Sequence, residues 1–149
     1  MPNFIALLFT ALLLATSGSV LACSIFPNEP AYVLESSESV VLAEPLEISP
    51  SPEEIGGYKG NFSYLQTVTW RIVKVWKGSF ASGETVSTTA RISTSEPCSG
   101  WDAVRDYQPK ILHSAADHSF RLYYAATVDW AAPQLDALRK EHDKFGERP

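Results

Sequence analysis

Cys23 is the residue best placed to do chemistry in this chain. It follows Ser19-Val20-Leu21-Ala22 at the end of an apolar N-terminal run, and the 149-residue sequence holds one other cysteine, Cys98. Removal of the leader leaves a cysteine as the first residue of the mature protein. Its amine, carbonyl and thiol then lie within a few bonds of one another. Such a residue can be lipidated, paired in a disulfide, or turned towards a metal. Two cysteines in an exported protein favour one disulfide over a metal site. Closing so long a loop stabilises by about 4 kcal/mol in the chain-entropy treatment.

The leader sets the compartment. Residues 4–15, FIALLFTALLLA, are an apolar run of signal-peptide length, followed by the small-residue stretch TSGSVLA. The run is short for a spanning helix, which needs about 20 residues. Residues 1–22 are therefore expected to be a signal peptide, and the protein to be secreted or periplasmic. Val20 and Ala22 fit ordinary signal cleavage. The string Val20-Leu21-Ala22-Cys23 also fits a bacterial lipobox, although Leu21 is larger than the residue usual there. Lipidation of Cys23 would make the protein an outer-membrane lipoprotein and would leave Cys98 a free thiol, so the two fates exclude each other. A membrane is a partner only in that case.

The mature chain, 149 − 22 = 127 residues, has the length of one domain, 23–149. The formal charge is −5. That argues against nucleic acid, which needs a basic surface, and against docking on anionic lipid. No G-x-S-x-G elbow, H-E-x-x-H pair or glycine-rich phosphate loop occurs, so no enzyme and no cofactor are expected. Ser36, Ser37 and Ser39 have no evident His and Asp partners, and Glu53-Glu54 fall in an exposed loop. His113, Asp117 and His118 do not form a recognisable ligand spacing, so no metal site is expected. His142 belongs to the apolar stripe of the last helix. Among the tryptophans, Trp70 is expected in the core, and Trp76 and Trp101 half-exposed.

The elements that must position Cys23 are mostly strands. Pro30 opens a short helix over residues 30–37. Residues 39–48, SVVLAEPLEI, read as a strand with an irregularity at Pro45 that suits an edge or a bulge. Residues 49–63 read as a long exposed loop. In residues 64–77, YLQTVTWRIVKVWK, the apolar parity changes after Ile72, placing Val73 and Val75 on the buried side. A β-bulge produces such a slip, and small barrels use one to turn corners. Strands follow over 84–93 and 119–128. Residues 102–118 are irregular apart from a short strand near Lys110–His113. Pro133 starts a final helix, about 131–145, with Leu135, Leu138, His142 and Phe145 at helical spacing. The sum is a mainly β domain of about five strands, with a short N-terminal helix and a C-terminal helix.

Three strings resemble the TIMP-like (tissue inhibitor of metalloproteinases), netrin-type modules and their small bacterial secreted relatives. They are Cys23-Ser24 with the strand SVVLAEPLEI, the string VTWRIVKVWKG at 68–78, and CSGW at 98–101 with FRLYYAA at 120–126. The resemblance implies a five-stranded OB-type barrel over about 23–128. It implies a Cys23–Cys98 disulfide, since 98 − 23 = 75 suits the family's first bridge. It also implies a protein partner, a metalloprotease, whose zinc would be met by the Cys23 amine and carbonyl, with Ser24, Ser99 and Trp101 nearby. A neutral α-amine is a good zinc donor, and catalytic zinc keeps an open position. The chain departs from the animal inhibitors at Ile25, where they have a second cysteine, and at Ala116-Asp117-His118, where they have glycine.

Overall fold

The protein is seen here in a computed structural model, which describes residues 29–93, 95, 103–114, 119–122 and 127–146. Residues 1–22, expected to be a signal peptide, and Cys23, Ser24, Cys98, Ser99, Trp101, Asp117 and His118 lie outside the described residues, as do residues 123–126 of the expected 119–128 strand, whose last residue, Val128, instead opens the final helix.

The elements run α1 (Pro30–Ser36), β1 (Ser39–Ser49), α2 (Pro52–Gly56), β2 (Ser63–Lys77), β3 (Thr85–Ser93), β4 (Lys110–Ser114), β5 (Phe120–Leu122) and α3 (Val128–Gly146). The five strands form one antiparallel sheet in the order β3-β2-β1-β4-β5, rolled into a nearly closed barrel. The mainly β expectation holds, with a helix before the barrel and one after it.

β1 explains why its first half, Val40–Ala43, is a continuous apolar run. It pairs with β2 on one side and β4 on the other. Val41 and Ala43 point into the barrel, while Val40 and Leu42 point to the helices outside. A strand covered on both faces has no use for alternation. β4 splits in the same way, with Leu112 inside and Ile111 outside.

The slip in β2 is real and has two parts. Leu42 faces Lys74 and Ala43 faces Ile72, so Val73 is an extra residue; Val40 faces Lys77 and Val41 faces Val75, so Trp76 is another. Before the slip Val68, Trp70 and Ile72 fill the barrel; after it Val75 packs there and Trp76 turns out towards α3. Val73 does not join the buried side as its parity suggests. It is 43% exposed, because it occupies the bulge itself. The Pro45 irregularity is also a bulge: Pro45 faces Trp70 and Glu47 faces Thr69, leaving Leu46 extra. Pro45 lies past Ala43, where the β4 ladder ends, so its missing N–H is not needed on that side.

The 49–63 segment is not all loop. Ser51 accepts from the Glu54 backbone N–H at 3.2 Å, and Glu54 Oε2 accepts from the Ser51 N–H at 2.7 Å, closing a capping box at the start of α2. The S-x-x-E spacing was the available signal. α3 starts at Val128, not at Pro133, which sits inside the helix. The Thr127 carbonyl accepts from the N–H groups of Trp130 and Ala131 and makes the first turn. Ala131 and Leu135 form the buried stripe, Leu138 is half-buried, and His142 is exposed rather than packed.

Candidate functional site

Cys23, Ser24, Cys98, Ser99 and Trp101, the residues expected to carry function, lie outside the described residues, so the structure shows only the segments on either side of residues 96–102. β3 leads towards Cys98 and ends at Ser93, which pairs with Ser63 at the start of β2. After Cys98 the chain returns at Val104, clamped by Gln66. Val104 N–H donates to Gln66 Oε1 at 2.8 Å, and Gln66 Nε2 donates to the Val104 carbonyl at 3.0 Å. Both ends of the Cys98 loop are thus fixed to the first residues of β2. Gln66 is 2% exposed, and its side chain bonds Val104 as a neighbouring strand would. Its signal in the sequence was an amide at the inward parity of Val68, Trp70 and Ile72.

Ser37 does have a histidine partner. Its Oγ lies 3.3 Å from His113 Nδ1, across the junction of α1 and β4. The two are 76 residues apart, so sequence spacing gave no hint of it. The pair is poorly suited to nucleophilic attack. Ser37 is 5% exposed, whereas a nucleophile must meet a substrate carbonyl. The contact ties the end of α1 to the barrel. Ser39 is buried beside Gly78, and Ser36 Oγ donates back to the Tyr32 carbonyl at 2.7 Å.

Trp76, expected half-exposed, is 4% exposed. Its Nε1 donates to Asp136 Oδ1 at 2.7 Å, and Lys74 Nζ lies 2.5 Å from the same oxygen and 5.4 Å from the indole centroid. The Lys74 hydrogen bond, then the Trp76 one, hold the Asp136 carboxyl below its usual range. Above this floor a groove of about 600 Å³ runs between α1 and α3, walled by Ala31, Leu34 and Leu138. Its rim cations are engaged within the fold: Lys77 Nζ donates to the Leu34 and Glu35 carbonyls at 2.9 and 3.2 Å, and Arg139 to the Val75 carbonyl. Trp70 is fully buried in the barrel as expected, its Nε1 donating to Thr88 Oγ1 at 2.8 Å. Trp130 is half-exposed on α3.

The carboxylates Glu53 and Glu54 lie in the first turn of α2, where Glu54 serves as a cap. Asp106 is held below its usual range by its hydrogen bond from Lys110, 2.6 Å away. Among the described residues no group of three or more His, Cys, Asp or Glu side chains is placed to hold a metal ion, and no helix is long and apolar enough to cross a membrane. On the far side of the barrel β3 and β5 stand beside each other, with no ladder between them among the described residues, and a slot of about 370 Å³ lies there. Compared with known protein families, curated proteins and solved structures, the chain matches none.

Proposed function

We propose that this chain is an exported, non-catalytic module that binds another protein, with Cys23 as the group that engages a zinc metalloprotease. The observation that supports a binding role most is the filled barrel. Trp70, Ile72, Val68 and Leu112 occupy the interior at 2% exposure or less. A small barrel packed in this way leaves its surface and loops for function, where an enzyme needs a deep pocket with converging polar groups. The metalloprotease rests on the resemblance of the Cys23-Ser24 start and the 68–78 string. A Cys23–Cys98 bridge would hold the N-terminal amine against a loop that Gln66 and Ser63 already fix.

The test is inhibition of a panel of zinc endopeptidases by the mature protein. Inhibition should vanish when one alanine is placed ahead of Cys23, which removes the chelating amine from its position. It should also strengthen as pH rises through about 7.7–8.0, as the amine loses its proton. Failure to inhibit any member of the panel would overturn the protease assignment. The alternative is an envelope lipoprotein anchored at Cys23 with an architectural role, favoured by the Val20-Leu21-Ala22-Cys23 string. It requires a sulfur bearing lipid.

A further inference from the structure

We draw no further inference here: the strongest candidate, the groove of about 600 Å³ between α1 and α3 above Trp76, joins apolar walls to charged residues of both signs, and nothing among the described residues shows what covers it.

Discussion

Replacing Gln66 with leucine keeps roughly the same volume and removes both bonds that hold Val104. The Val104 N–H and carbonyl are buried, so each would lose its partner without gaining water. We expect Gln66→Leu to cost about 2–4 kcal/mol in denaturant unfolding, and a cost below about 0.5 kcal/mol would show that the clamp is unimportant. Gly78 is the second position where one residue decides the local structure. Its φ is +107°, and a Cβ there would stand 2.3 Å from Ser39 Oγ. Gly78→Ala should cost about 1–3 kcal/mol. Adding Ser39→Gly should recover only the steric part, since the backbone strain remains. Gly78 also closes the most specific string in the sequence. In VTWRIVKVWKG, Val68, Trp70 and Ile72 fill the barrel, Trp76 meets α3, and Gly78 makes room for Ser39. The string's buried residues are accounted for by packing, and Arg71 and Val73 are exposed. The Ser37–His113 contact was invisible in the sequence because its partners meet only when β1 pairs with β4.

At the scale of elements, α3 is held to β2 by a mixed contact. Leu135 is fully buried against the sheet, and Asp136 beside it takes hydrogen bonds from Trp76 and Lys74. Leu135→Ala should cost about 2–5 kcal/mol, whereas Trp130→Ala, on the open face, should fall within about 0.5 kcal/mol of the parent. Because the folded carboxyl of Asp136 is depressed, its contribution is present above the ordinary carboxylate range and is lost as pH falls through the folded value. Asp136→Asn should therefore flatten the acid limb of the stability profile below about pH 4. The change should stay under about 1 kcal/mol, since the pair is solvent-screened. An unchanged acid limb would remove Asp136 from the account. Strands were the most legible elements, because β2 and β3 carry period-two patterns and β1 opens on the apolar run Val40–Ala43. Helix boundaries were less so. Pro133 looked like a helix start, but the Thr127 carbonyl begins the helix one and a half turns earlier. The α2 turn was hidden by its proline and glycine content, although its S-x-x-E cap was in plain view.

The whole molecule is a small barrel with two cores, one inside and one under the helices. Together they leave β2 bent at Val73 and Trp76, serving both. The fold was largely legible because it depends on apolar periodicity, which a single sequence displays. The candidate site was legible only as a cysteine after an apolar run, because a bridge, a lipid and a chelating amine would all begin from the same residue. The intact mass of the exported mature protein, taken without reductant and again after alkylation, separates them. The account predicts the mass of residues 23–149 less two hydrogens, with no alkylation: a free amine and a Cys23–Cys98 disulfide. A mass raised by a diacylglycerol and an acyl chain, with one alkylatable thiol at Cys98, would contradict it and leave a lipoprotein in its place.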